Sequence, residues 1–279
     1  MGKLHDAAKK GNLGALQTAL SSGQDIESTD SKERTCLLIA ASQGHTEIVK
    51  YLVDEREADV DAEDADGNTA LALAAVAGHT DCVKALLAKS DEDAENSEGQ
   101  TPLWLALEGN HIDTVKALLA GGADVQLAGP GGATYLHQVA ASKAAAAGSE
   151  AATALLLEAG ASVGALDQER CTPLMVACRA GAWAVGRQLL AAGADVKAVG
   201  RNQWTALHFC AQNLGGRPGA VDFAEVLLGA GASAKVRTRD GMTPAAVVAL
   251  DAEKRSKKVT QEDDDMRDLL SEAEATEEE

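Results

Sequence analysis

Two short segments contain residue types that could do chemistry. Gly160-Ala-Ser162-Val-Gly164 matches the G-x-S-x-G pattern of serine hydrolases, which need a buried strand before the serine and a histidine and an acid to activate it. Gly129-Pro-Gly-Gly132 has the composition of a phosphate-binding loop without its lysine. The serine occupies the place that Gly-Ala-Asp-Val fills at Gly122 and Gly193. Coincidence is therefore favoured over a hydrolase site.

Metal ligands are abundant but wrongly spaced. The clusters Asp59-Val-Asp61-Ala-Glu63 and Asp91-Glu-Asp93-Ala-Glu95 suggest calcium, but neither has the glycine and closing glutamate of a complete calcium loop. The six histidines and five cysteines show no zinc-site spacing. We therefore expect no metal, no cofactor and no catalytic residues. An odd number of cysteines without a secretion signal predicts buried thiols in a reducing intracellular compartment, the cytoplasm first, with nucleus and cilium left open.

Charge and hydropathy limit the classes of partner that this chain is expected to bind. The net charge is −18, and residues 261–279 contain ten acidic residues against the single Arg267. Such a chain repels phosphate backbones, so nucleic-acid binding is not expected. Apolar runs stay far below the roughly 18 residues that span a bilayer, so membrane insertion is not expected either.

Any site must be positioned by a repeated element. Seven threonines open variants of one phrase, and successive threonines lie 32 to 38 residues apart. They are Thr35, Thr69, Thr101, Thr134, Thr172, Thr205 and Thr243. Turn residues precede each phrase, and apolar residues at helical spacing follow it, as in Val83, Leu86 and Leu87. This period and the Thr-Pro-Leu-His-like phrase resemble the ankyrin repeat.

The resemblance covers residues 3–250 and implies an all-α ankyrin-repeat solenoid. Its stacked helix-turn-helix units would carry short β-type fingers, with about six full repeats between degenerate N- and C-terminal caps. Residues 251–279 would form a charged insert, a capping helix and an acidic tail, with residues 274–279 disordered. Two units are about five residues longer than the rest, within 143–149 and 214–219. Loop drift is favoured there over a second contact edge.

The resemblance also implies a binding surface, made of the finger tips and the exposed face of the first helix of each pair. By register, the candidate partner-binding residues are Trp204, Arg201, Asn202, Arg239, Met242, Arg179, Gln212, Asp66, Glu98 and Glu108. Trp204 stands at a variable position between arginines, and either forms an exposed hot spot or packs on the adjacent finger. The fingers are acidic around repeats 2 to 4 and basic around repeats 7 and 8.

These residues predict a non-enzymatic scaffold or adaptor that binds one or more proteins and no small-molecule substrate. One form would be a structural subunit of a large cytoskeletal or ciliary assembly. The alternative is an assembly chaperone or inhibitor that transiently masks the charged surface of a client. In either case the acidic tail could compete with an acidic partner for the basic C-terminal fingers.

Overall fold

The computed structural model describes residues 2–142, 146–212, 219–254 and 260–277. The chain divides into two compact units, Met1–Pro130 and Gly131–Glu279. Regular secondary structure in the described ranges consists of helices alone. The predicted all-α architecture is confirmed.

The first unit is a stack of four helix pairs. Its α-helices are α1 Lys3–Lys9, α2 Leu13–Ser21, α3 Cys36–Ser42, α4 Thr46–Lys50, α5 Ala70–Val76, α6 Thr80–Leu86, α7 Pro102–Glu108 and α8 Ile112–Gly121. A π-helical turn, Tyr51–Glu55, continues α4. The first helix of each pair packs on the first helix of the next, in the order α1, α3, α5, α7. The second helices α4, α6 and α8 pack on one another in the same way and form a second row.

The second unit repeats this plan. Its α-helices in the described ranges are α9 Tyr135–Ala141, α10 Ala146–Glu158, α11 Pro173–Ala180, α12 Trp183–Ala191, α13 Ala206–Gln212, α14 Ala220–Gly229, α15 Pro244–Lys254 and α16 Gln261–Thr276. The first helices pack in the order α9, α11, α13, α15, while α16 packs on both α14 and α15.

The threonine of the repeated phrase stands at the start of the first helix of each pair from α3 onward. Thr35, Thr69, Thr101 and Thr172 have extended backbones, and their hydroxyl oxygens accept the backbone N–H three residues later at 3.2–3.4 Å. This N-cap satisfies one of the amides that a helix leaves unpaired at its start. A local hydrogen bond therefore explains why the phrase recurs.

The Gly-His break between paired helices joins neighbouring repeats. His111 Nε2 donates to the carbonyl of Val76 at 3.1 Å, at the end of the first helix of the preceding repeat. Gly78 has φ +72°, and a Cβ there would lie 2.5 Å from His111 Nδ1. Glycine is thus required at this position both for its backbone conformation and for the space that the ring fills.

The C-terminal helix α16 covers the apolar surface of α14 and α15. Met266 and Leu270 are fully buried, and Thr260 and Asp263 form a capping box at its start. The Glu277 carboxylate accepts from Ser233 Oγ at 2.7 Å and from the Ala234 N–H at 2.8 Å. The expected disorder of residues 274–279 is therefore wrong for 274–277, because α16 continues to Thr276 and two hydrogen bonds hold Glu277.

Two sequence expectations fall partly outside the described residues. Within the longer unit at 143–149, α10 begins at Ala146, and residues 143–145 lie outside. The second insertion lies outside except for Gly219.

Glu277 contacts the loop that follows α14, and that loop is not a finger. Competition of the tail with a partner, like the domain boundary at residue 250, stays a prediction.

Candidate partner-binding surfaces

The fingers are tight turns that protrude before each first helix. In the finger Asp64–Asn68, the Asp64 N–H donates to the carbonyl of Asn68 at 3.1 Å, and Asp64 Oδ1 accepts the N–H groups of Asp66 and Asn68. Gly67, with φ +77°, makes the reversal possible. These bonds hold the finger in one conformation, so its tip residues are presented on a rigid base.

Consecutive fingers are linked by single backbone hydrogen bonds. In the first unit Ala65 N–H donates to Lys32 O at 3.2 Å, and Ser97 N–H donates to Asp66 O at 3.0 Å. In the second unit the Arg239 N–H donates to Asn202 O at 2.8 Å. One bond per junction aligns the finger tips into a row without forming a strand in the described part of the chain.

The first unit contains a groove between its fingers and the first helices α5 and α7, here called the acidic groove. Its volume is about 390 Å³. The lining residues are Asp66, Asn68, Leu73, Val76, Asn96, Ser97, Glu98, Gln100 and Leu105. Two predicted site residues, Asp66 and Glu98, thus share one groove. Glu108 is exposed at the end of α7 and is not among the lining residues.

The second unit presents a row of stacked side chains, here called the aromatic cluster: Trp204, Phe209, Arg179 and Glu169. The Trp204 ring centroid lies 5.0 Å from that of Phe209. Arg179 Cζ lies 5.9 Å from the Phe209 centroid, and Arg179 Nη1 lies 3.1 Å from Glu169 Oε2. An arginine over an aromatic face gains cation–π attraction. The row connects the base of one finger to α13 and α11.

Trp204 therefore occupies an intermediate position. It is half-buried and packs on the helix that follows it, against Phe209 and also against His208 at 5.8 Å. It is therefore not fully exposed. Arg201, Asn202 and Arg239 are exposed, whereas Arg179, Gln212 and Met242 are half-buried. Seven of the ten predicted residues thus belong to two fingers and the helices α11 and α13 of the second unit.

Phe209 was not predicted as a site residue, although the sequence carries a signal for it. It stands four residues after Thr205, in the same register as Leu73 after Thr69 and Leu105 after Thr101. Both leucines line the acidic groove. This position of the repeat therefore supplies the apolar floor of the candidate surface in both units.

The two histidines in the fourth place of the phrase are structural. His137 Nδ1 accepts from the Thr134 N–H at 3.1 Å, and its Nε2 donates to Cys171 O at 2.8 Å. His208 bonds in the same way to Thr205 and to Met242 O. Burial lowers the pKa of both rings. Each is a neutral tie between successive repeats.

The residues that suggested chemistry have structural surroundings. Ser162 is exposed on the turn after α10, where its carbonyl accepts from Ala165 N–H. Asp93 accepts the Asp124 N–H with both carboxylate oxygens at 3.1 Å. The described residues contain no group of three acidic, histidine or cysteine side chains that could hold a metal.

The cysteine thiols are likewise structural and not reactive. All five cysteines are buried and unpaired. Burial raises the pKa of Cys36 to about 12 and that of Cys171 to about 11. Because the thiolate is the reactive form, these side chains act as small apolar groups in the core.

Comparison with known proteins decides the family. The family model for three successive ankyrin repeats matches residues 4–96 and 136–240, and the single ankyrin-repeat model matches residues 98–129. The chain belongs to the ankyrin-repeat family. The helix pairs, fingers and Gly-His ties described above are thus the parts of an ankyrin-repeat array.

Two similar proteins illustrate the relationship. The mouse protein named ankyrin repeat and SOCS box protein 16 is 43% identical over 111 residues, which cover 36% of this chain and 23% of that protein. A crystal structure of an ankyrin repeat domain from Acinetobacter baumannii AYE has a TM-score of 0.64 and 29% identity. The match covers 69% of this chain and 98% of that domain. Among the described residues, each helix is too short or too polar to cross a bilayer.

Proposed function

We propose that this ankyrin-repeat protein is a non-enzymatic scaffold or adaptor that binds a protein partner through the fingers and the aromatic cluster of its second unit. Ankyrin repeats are generally protein-protein interaction modules. The observation that carries the more specific proposal is the aromatic cluster. In it the half-buried Trp204 is accompanied by exposed finger residues, among them Arg201 and Arg239.

The cluster combines the two properties that concentrate binding energy. Tryptophan and arginine dominate the energetics of protein interfaces when they sit in well-packed surroundings. Phe209 supports Trp204 from below, and Glu169 fixes Arg179 over the same ring. These side chains are already ordered, so a partner would immobilise few additional rotamers on binding.

Trp204→Ala is expected to weaken partner binding by about 2 kcal/mol or more, roughly thirtyfold, because the anchor of the cluster is removed. The measurement is calorimetry with a partner obtained by affinity capture. Trp183→Ala is the matched control. Trp183 is also half-buried, and its ring centroid lies 5.2 Å from that of Phe223. Unlike Trp204, it lies at the start of α12, the second helix of its pair. Its loss should leave affinity within about twofold.

Unchanged affinity for Trp204→Ala, with helical content intact by circular dichroism, would remove the cluster from the interface. Loss of helical content would show instead that Trp204 is a folding residue. In that case Arg201→Ala with Arg239→Ala, both exposed on fingers, tests the same surface and should weaken binding without unfolding.

This function could take two forms, which differ in how the protein takes part in an assembly. We propose a structural subunit of a large cytoplasmic assembly, cytoskeletal or ciliary, and the five unpaired cysteines support a reducing compartment. The alternative is an assembly chaperone or inhibitor. It is favoured by the charge of the first unit, in which 23 acidic residues face 10 basic ones. Stoichiometric, salt-resistant copurification supports the subunit, and salt-labile capture supports the chaperone.

A further inference from the structure

We propose that the acidic groove of the first unit takes an extended segment of a protein in which an apolar side chain is flanked by lysine or arginine. This inference rests on the proposed function, namely that the chain binds proteins. It adds a second contact surface, separate from the aromatic cluster, and it states the chemistry of the bound segment.

The floor of the groove is apolar and accessible. Val76 at the end of α5 is 44% exposed, although large apolar side chains of this chain are otherwise mostly buried. Leu73, one turn earlier, is half-buried, and Leu105 on α7 is covered to 94%. A single exposed valine on a convex surface would need no explanation. Here it lies in a concavity beside two leucines, where an inserted apolar side chain would remove it from water.

The rim of the groove carries unneutralised negative charge. The side chains of Asp66 and Glu98 are exposed, and neither has an ion-pair partner among the described residues. None of the lining residues is basic. By contrast, Asp81 and Asp113 on the second helices lie 3.8 and 3.9 Å from lysines three residues later. The groove thus keeps its charge available for a basic partner.

The polar side chains between rim and floor are already ordered. Asn96 Nδ2 donates to Asn68 Oδ1 at 3.0 Å and to Gln100 Oε1 at 3.1 Å. This amide network spans two consecutive fingers and holds the two carboxylate-bearing tips on fixed bases. A preformed groove loses little conformational entropy on binding, which favours specific capture over diffuse attraction.

Charge and geometry together select a basic, apolar-anchored protein segment. Nucleic acid carries the same sign as the rim and is repelled. The described residues offer no third carboxylate, histidine or cysteine that would complete a metal site at the rim. Lysine or arginine beside a leucine-sized side chain would satisfy the rim and the floor at once.

The test is selection from a pooled library of synthetic ten-residue peptides on the immobilised full-length protein, followed by fluorescence polarisation of the selected peptides. Four forms are compared: the unaltered chain, Asp66→Asn with Glu98→Gln, Val76→Ser, and the matched control Asp81→Asn with Asp113→Asn. The control removes the same number of charges from the same unit but outside the groove.

The expected result is enrichment of peptides with Lys or Arg on both sides of Leu, Ile, Val or Met. Their affinity should fall at least tenfold in the groove double variant, with a weaker salt dependence, and severalfold in Val76→Ser at all salt concentrations. The control should stay within twofold. The inference is overturned if no such peptide is enriched, if the control loses as much as the groove variant, or if acidic peptides bind equally well.

The Trp204→Ala chain separates this inference from the proposed function. It should retain the selected peptides within twofold, because Trp204 lies in the second unit. If Trp204→Ala keeps full affinity for the captured partner while the groove variants lose the peptides, the aromatic cluster is wrong and the groove stands. The reverse pattern overturns the groove alone.

Discussion

A chain that ends at Arg239 is expected to self-associate and to unfold at a lower temperature than the full chain. The deletion removes α15 and α16, whose buried side chains include Val247, Val248, Met266 and Leu270. Repeat arrays are stabilised by contacts between neighbours, so removal of the terminal pair exposes the apolar side of α13 and α14. The accepting carbonyl of Met242, which pairs with His208 Nε2, is lost as well.

A point variant tests the same cap in the complete chain. Met266→Ala with Leu270→Ala should lower the free energy of unfolding of the second unit by several kcal/mol, since burial-to-alanine changes cost about 2–5 kcal/mol each. The total cannot exceed the free energy with which α16 docks, because an undocked helix loses nothing further. Asp268→Ala with Glu272→Ala, both exposed on the same helix, is the control and should change stability by less than about 1 kcal/mol.

Calorimetric melting and light scattering provide the readout for this prediction. A shortened chain that stays monomeric and melts at the temperature of the full chain would show that α15 and α16 cap nothing. Equal melting of the two α16 double variants would lead to the same conclusion for α16 alone.

Acidification from pH 7 to pH 5 is expected to destabilise the protein through His137 and His208. Both rings are buried, Nδ1 of each accepts a backbone N–H, and burial lowers the pKa of each below its usual 6.5. The unfolded chain therefore binds a proton at each histidine near pH 6.5, whereas the folded chain does so only at lower pH. Their stabilising contribution is complete above pH 6.5 and is lost as the pH falls toward the folded-state pKa.

Within that window each histidine contributes at most about 1.4 kcal/mol of unfolding free energy per pH unit, because each binds one proton. Burial is the largest influence on the pKa of His137 and lowers it; the hydrogen bond to Cys171 and the charge of Asp167 raise it, and the charge of Arg179 lowers it. Asp30, whose pKa its partner Arg34 lowers to about 2, titrates far below this range. Urea unfolding at a series of pH values measures the slope.

The neighbouring repeat supplies the matched variant. Met175 stands in the same place of its phrase as His137, and its sulfur lies 3.5 Å from the Thr172 N. His137→Met should therefore fold, with lower stability at pH 7 because the carbonyl of Cys171 loses its donor. On acidification below pH 6.5 this variant should lose less unfolding free energy than the unaltered chain, because one titrating group is gone. An unchanged pH dependence would show that His137 binds its proton equally well in the folded and the unfolded chain.

Sequence alone predicted the parts of this fold that depend on local chemistry. The threonine caps and the Asp64–Asn68 turn each need residue types within five positions of one another. Their recurrence at a period near 33 then leads to the ankyrin-repeat fold. The register of the repeat also placed Asp66 and Glu98 on fingers, and the structure brings both into one groove.

The remaining features depend on contacts between distant residues. Glu169 and Arg179 belong to a finger and a helix, and the second of these reaches a phenylalanine of the following repeat. Glu277 is held by Ser233, 44 residues earlier. Composition predicted a disordered end there, because an acidic segment has little to bury. Two hydrogen bonds to one carboxylate are not visible in composition.

The protein-binding account is tested most directly by quantitative affinity capture and mass spectrometry with three full-length forms: the unaltered chain, Trp204→Ala and Trp183→Ala. The account predicts that one set of proteins is enriched by the unaltered chain and by Trp183→Ala, and that its recovery falls at least tenfold with Trp204→Ala, in line with a loss of about 2 kcal/mol. Equal recovery with all three forms, or no enrichment by any of them, would contradict it.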